Sequence, residues 1–163
     1  MIEMELVRVG VEPPTNVPVV LLRERQGAGR VLPIFIGPPE AQAIALAMDG
    51  IETPRPMTHD LFKNVLDELG AVLERVVVTE LQDKTFYAEL HLLHAGTRTA
   101  VSSRPSDAIA LAVRFGAPIH ANEEVLDAAA FTPAEEEDAE GQEAVVEEFR
   151  EFIENVNPED FVD

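Results

Sequence analysis

The chain has no cysteine and no tryptophan, a single tyrosine, and no apolar run of 18 residues. Each absence removes a class of explanation. Without cysteine there is no disulfide framework, no thiol nucleophile and no thiolate-held zinc. With Tyr87 as the lone tyrosine and no tryptophan, an aromatic platform for stacked bases is thin. Without a long apolar run, no helix crosses a membrane. The opening residues, MIEMELVRVG, alternate and carry acid, which a signal peptide does not. There is no Walker loop, no G-x-G-x-x-G and no G-x-S-x-G, so nucleotide-fold and hydrolase-elbow readings lack support. The expectation is a cytoplasmic protein without membrane contact.

Positive charge is also scarce: 12 Lys and Arg stand against 31 Asp and Glu, a net of −19. Its distribution matters more than its sum. From Glu123 onward there are 16 acids and one base, Arg150, whereas residues 1–122 hold 15 acids and 11 bases. The body is nearly balanced and the acidity sits in the last quarter. Net charge therefore does not exclude a polyanionic substrate.

What is present reads as one domain with an appended tail. Ile2, Met4, Leu6, Val7, Val9 and Val11 read as an alternating strand over 2–11, followed by VPVVLLRER (17–25) and RVLPIFIG (30–37), an antiparallel meander with Pro33 at an edge or bulge. The period then changes to that of a helix, with Ala41, Ile44, Ala45 and Met48 on one stripe. THDLFKNVLDELG (58–70) repeats it with Leu61, Phe62, Val65, Leu66 and Leu69, and stops at Gly70. Three strands follow over 71–81, 85–94 and 97–103, with hairpin turns at Gln82-Asp83-Lys84 and Ala95-Gly96. A helix from about Ser106 to Phe115, apolar nearly all round, reads as buried. APIHA is a short strand with His120 at its end, and Asn122 caps a last short helix. The order of strands, helices, strands and helices gives an α+β fold, a mostly antiparallel sheet with packed helices. Domain limits fall at 1–130, an acidic linker at 131–142, and a C-terminal helix and tail at 143–163, whose Val145, Phe149, Phe152 and Val156 form an apolar stripe.

Wording recurs at the helix starts: PPEAQAIALA (38–47), RPMTHD (55–60) and SSRPSDAIALA (102–112). Capping and close packing explain much of it, with Thr58, Ser106 or Asp107 as caps and Asp60 near the positive end of a helix dipole. The residue types also carry chemistry. Arg55 and Arg104 each precede a helix N-terminus, a place that already favours phosphate. Glu40, Asp60 and Asp107 are hard oxygen donors suited to Mg²⁺ or Mn²⁺. His59 or Lys63 can manage a proton or a developing charge. Thr58 and Ser106 add hydroxyls beside the phosphate-binding arginines. His91 and His94 stand at an odd offset in a strand, on opposite faces, which argues against a zinc pair.

The segments LPIFIGPPEAQAIALAMDG (32–50), RPMTHDLFKNVLDELGA (55–71), FYAEL (86–90) and SSRPSDAIALAVRFGAPI (102–119) resemble the bifunctional nuclease (BFN) domain family. EEVLDAA (123–129) and ENVNPEDF (154–161) agree as well. The resemblance implies an α+β domain that self-associates, commonly as a homodimer, and a nuclease acting on RNA and DNA. Within its motifs, His59, Asp60, Lys63 and Asp107 are the catalytic candidates. Arg55, Thr58, Arg104 and Ser106 are the substrate-binding candidates, and Glu40, Asp60 and Asp107 the metal ligands. The competing expectation is a non-catalytic homo-oligomeric module that binds a small anion or a protein, with Arg104 and Asp107 as a buried structural pair. The acidic linker reads as a solvated tether, or more sharply as a phosphate mimic that restrains the cationic groove.

Overall fold

The alternating N-terminal segments pair as their patterns require. In the computed structural model, which describes residues 1–133 and 148–151, β1 (Ile2–Glu12), β2 (Val17–Glu24) and β3 (Val31–Phe35) form an antiparallel meander. Two helices follow, α1 (Pro38–Met48) and α2 (Thr58–Glu68), then a second meander of β4 (Val72–Gln82), β5 (Thr85–His94) and β6 (Thr97–Ser103). Its hairpins turn at Asp83-Lys84 and Ala95-Gly96, where all four residues have positive φ, as two-residue turns matched to strand twist require. The chain closes with α3 (Pro105–Phe115), β7 (Ile119–Ala121) and α4 (Glu123–Ala129).

Short β7 joins the two meanders into one sheet of seven strands, ordered β3-β2-β1-β7-β4-β5-β6. It runs antiparallel to β1 and parallel to β4, the one parallel pairing in the sheet. His120 is therefore the middle residue of a central strand rather than a strand end. The sequence misleads here because a three-residue strand leaves no alternation to count. Pro33 lies on β3, an edge strand, where its missing N–H costs no ladder bond on the open side.

Strand alternation sorts side chains onto two faces. Met4, Val20, Leu22, Leu32, Ile34, Val76, Val78, Ala88 and Leu90 face the helices and pack with Ile44 of α1, Ile109 and Leu111 of α3, and Val125 and Leu126 of α4. On the other face Val7, Val19, Leu21, Val31 and Phe35 form a smaller cluster. Phe149, from helical residues 148–151, is fully buried there with ring centroids 6.2 Å from both Phe35 and Phe131. The expected C-terminal apolar stripe thus docks through Phe149, and its other members, Val145, Phe152 and Val156, lie outside the described residues, as does the linker from 134 onward. α3 ends on Gly116 at φ +63, the left-handed conformation that glycine adopts without a Cβ penalty.

Candidate active site

The recurrent helix starts share a position. Counting from the N-caps Gly37, Met57 and Arg104, residues Glu40, Asp60 and Asp107 each occupy the third helical place of α1, α2 and α3. There a carboxylate faces unsatisfied backbone N–H groups and the positive end of the helix dipole. The expected hydroxyl caps are not used. Pro105 holds Arg104 extended at the N-cap of α3, and no side chain caps that helix. Ser106 is fully buried with its Oγ unpartnered, out of a substrate's reach. Thr58 is the first residue of α2 and exposed, and the carboxylate of Asp60 accepts the Met57 N–H instead (3.0 Å). Asn122 stands at the N-cap of α4 but donates its amide to Thr79 O (2.9 Å).

Two clusters result. In the first, His59 Nε2 donates to Asp107 Oδ1 (2.8 Å), and Arg104 binds Asp107 through Nε (2.8 Å) and Nη2 (3.1 Å). Arg104 Nη1 also reaches Glu40 Oε1 (3.2 Å), so one guanidinium ties the starts of α1 and α3 together. The other Glu40 oxygen lies over Gly37, where a Cβ would collide with it. The hydrogen bond from His59, aided by Arg104, holds the Asp107 carboxyl at about 2 against the opposing effect of burial. A permanently ionised Asp107 keeps the Nε2–H tautomer of His59 and leaves Nδ1, which has no partner among the described residues, as the basic nitrogen.

In the second cluster Arg114 Nε donates to Asp60 Oδ1 (2.6 Å), and Arg114 Nη1 binds Ala110 O. That pairing, helped by the Met57 N–H, lowers the Asp60 carboxyl below the ordinary range. Lys63 pairs with Asp67 and lies 4.9 Å from the Phe115 ring centroid. Asp60 and Lys63 therefore belong to the α2–α3 contact rather than to the His59–Asp107 group. Arg114 was missed by the sequence reading; its signal was only a base in the last turn of α3. Arg55 is exposed and makes no ion pair among the described residues.

The three carboxylates expected to hold a metal are divided between two arginines, and among the described residues no group of three or more His, Asp and Glu is placed to bind one. Arg104 is half exposed, so its pair with Asp107 is not the fully buried pair of the competing expectation.

A sequence profile of the bifunctional nuclease domain matches residues 20–134. The chain belongs to the bifunctional nuclease domain family. An uncharacterized protein of Mycobacterium tuberculosis (strain H37Rv) is 46% identical over 163 residues, covering 98% of this chain and 97% of that protein. Bifunctional nuclease 1 of Arabidopsis thaliana is 32% identical over 108 residues, and Bifunctional nuclease 2 of the same plant is 32% identical over 106. These cover 64% and 63% of this chain but 33% and 32% of the plant proteins, so the chain matches about a third of their length. The profile of the bifunctional nuclease domain takes in both clusters and leaves out β1, which nevertheless pairs inside the sheet between β2 and β7.

Proposed function

We propose that this chain is a cytoplasmic nuclease that hydrolyses phosphodiester bonds in RNA and DNA, with His59 carrying the proton. The observation that supports it best is the 2.8 Å contact of His59 with Asp107 at the uncapped start of α3. In this reading Nδ1 of His59 takes a proton from the attacking water and later returns one to the leaving oxygen. Asp107 orients the ring and stabilises the imidazolium. The first-turn N–H groups of α3 and the unpaired Arg55 bind the phosphate. Arg104, already saturated by Glu40 and Asp107, positions Asp107 rather than clamping substrate. Mg²⁺ or Mn²⁺ does not fit this arrangement, because a guanidinium stands between two of the three expected ligands and Asp60 is turned to Arg114. No step is drawn through a metal.

Self-association as a homodimer belongs to the same reading. Its support is α2 with its C-cap: Leu61, Phe62 and Val65 of the helix and Leu69 at the cap are 53, 46, 48 and 64% exposed. The alternative, a non-catalytic homo-oligomer binding a small anion or a protein, draws on the full compensation of Arg104. Cleavage of labelled single-stranded RNA, single-stranded DNA and duplex DNA separates the two, with Mg²⁺, Mn²⁺ or EDTA and beside Asp107→Asn prepared identically. Cleavage that survives EDTA and disappears in a folded Asp107→Asn is the expected result. No cleavage above the variant's background moves the protein to the binding module. Deleting residues 132–142, which lie largely outside the described residues, tests the phosphate-mimic idea: unchanged nucleic-acid affinity overturns it.

A further inference from the structure

The sheet face opposite the helices changes character along its length. Over β1–β3 it is apolar and covered by Phe131 and Phe149. Over β1, β7, β4 and β5 it is polar. Register places Glu3, His120, Val77 and Glu89 in one row across these strands, with Arg75 opposite His91 beside them. Directly paired residues share a face. The helices α1, α3 and α4 pack on the other side, with Ile119 and Ala121 of β7.

Charge on this face is matched except at one point. Glu3 pairs with Arg25 (3.3 Å), Glu5 with Arg23 (3.1 Å), Glu89 with His91 (3.2 Å) and Glu74 with Arg98 (2.9 Å). Arg75 has no carboxylate partner among the described residues. Among the described residues its one side-chain bond is a long one, Nη2 to His91 Nδ1 at 3.3 Å. Arginine only donates, so this contact makes His91 Nδ1 an acceptor and puts the ring hydrogen on Nε2, facing Glu89. Two further atoms here are buried and unsatisfied, Arg75 Nε and His120 Nδ1. Burial lowers the proton affinity of His120, with Arg75 contributing and Glu3 and the Val76 backbone opposing. A buried donor without a partner is costly, and although Glu74 lies close enough to feel the charge of Arg75, no carboxylate is hydrogen-bonded to it among the described residues. One ligand class answers all of these: an oxyanion that neutralises Arg75, takes its Nε–H and accepts from His120.

We propose that Arg75 and His120 form an oxyanion-binding site for a phosphate group on the sheet face opposite the His59–Asp107 cluster, with His91 as the resting partner that Arg75 leaves. Arg75 Nε and His120 Nδ1 are buried at rest and come within a ligand's reach only when Arg75 turns from His91, a movement opposed by a single 3.3 Å contact. The site is independent of the nuclease reading and shares no residue with it. The ligand is either a free phosphate or phosphomonoester, or a diester of a nucleic-acid backbone. These share the oxyanion and differ in charge.

Only four histidines are present, so their imidazole resonances report the site directly. The full chain is titrated with inorganic phosphate and, separately, with dimethyl phosphate at constant pH and ionic strength. Saturable shifts at His91 and His120, with His59 unmoved, are expected, and Arg75→Gln weakens binding by about tenfold or more, the worth of a charge-assisted hydrogen bond. Response to both probes assigns the site to diesters as well; response to inorganic phosphate alone assigns it to free phosphate and monoesters. Arg75→Lys keeps the charge and loses the fork, so it gives intermediate weakening and serves if the glutamine variant does not fold. Linear drift of all four histidines, or saturation unchanged in the arginine variants, overturns the site.

Discussion

Helices α2 and α3 are each 11 residues long and each carries an aspartate at its third position, yet the fold treats them oppositely. α3 buries seven residues, from Pro105 to Ala112 with Asp107 excepted, whereas α2 buries Leu66 alone. α2 has the cleaner amphipathic pattern, and its apolar stripe faces solvent. Periodicity shows that a helix has a face to cover; it does not show what covers it. α3 supplies the domain core, and α2 presents a surface while lending His59 to Asp107 and Asp60 to Arg114 at its first turn.

The comparison breaks most severely in the core. Ile109→Ala, in the middle of α3, is expected to cost about 2–5 kcal/mol of unfolding free energy. Val65→Ser on α2 is expected to leave monomer stability within about 0.5 kcal/mol and to reduce self-association. Urea unfolding beside sedimentation velocity separates the two, and a large stability loss from Val65→Ser would mean that α2 is covered within one chain.

Next in size is the pair of aspartates. Asp107→Asn is expected to lower turnover by about 100-fold or more while the protein stays folded, because an amide can present its N–H₂ to His59, so the tautomer is no longer fixed, and the imidazolium loses its counter-charge. Asp60→Asn is expected to spare turnover and loosen the α2–α3 contact held by Arg114. Melting curves and cleavage rates on both variants decide the assignment. Equal loss of turnover would merge the two clusters into one site.

Much of the scaffold was legible because its signals are local. Both two-residue hairpins, the Gly116 stop and the strand alternation of β1 and β5 follow from neighbours in the chain. The candidate site was legible only as an inventory. His59, Asp107, Arg104 and Glu40 were all named, but their grouping depends on α1, α2 and α3 meeting in space, over separations that no spacing rule spans. The pairing of Asp60 with Arg114 was not legible for the same reason, since Arg114 lies 54 residues away. Ser106 looked like a cap because serine beside proline usually is one. Packing of α3 buried it instead.

Acid unfolding offers a smaller effect with a definite sign. Asp107 titrates at about 2 when folded and at about 3.8 ordinarily, so the unfolded chain binds the proton first as pH falls. Its contribution is present above pH 4 and is lost between about pH 4 and pH 2; for this partly exposed pair it amounts to about 2 kcal/mol at most. Asp60, lowered by Arg114, contributes in the same direction. Wild type should therefore gain stability from pH 2 to pH 4 more steeply than Asp107→Asn. Parallel curves would show that the carboxylate is no better held folded than unfolded.

The smallest expected effect concerns Arg55. It precedes α2 as Arg104 precedes α3, but Arg104 is bound by two carboxylates and Arg55 by none among the described residues. Exposed and unpaired, Arg55 contributes little to folding, so Arg55→Ala should change stability by less than about 0.5 kcal/mol. A cation that contacts phosphate should show instead in the salt dependence of nucleic-acid binding, flattening the log-log slope by about 1. Arg104→Ala should do the reverse, destabilising α3 and releasing Asp107 before it alters the slope. If Arg55→Ala leaves the slope untouched, the free cation beside α2 is surface charge. Phosphate binding on the helical side of the sheet would then rest on backbone N–H groups alone.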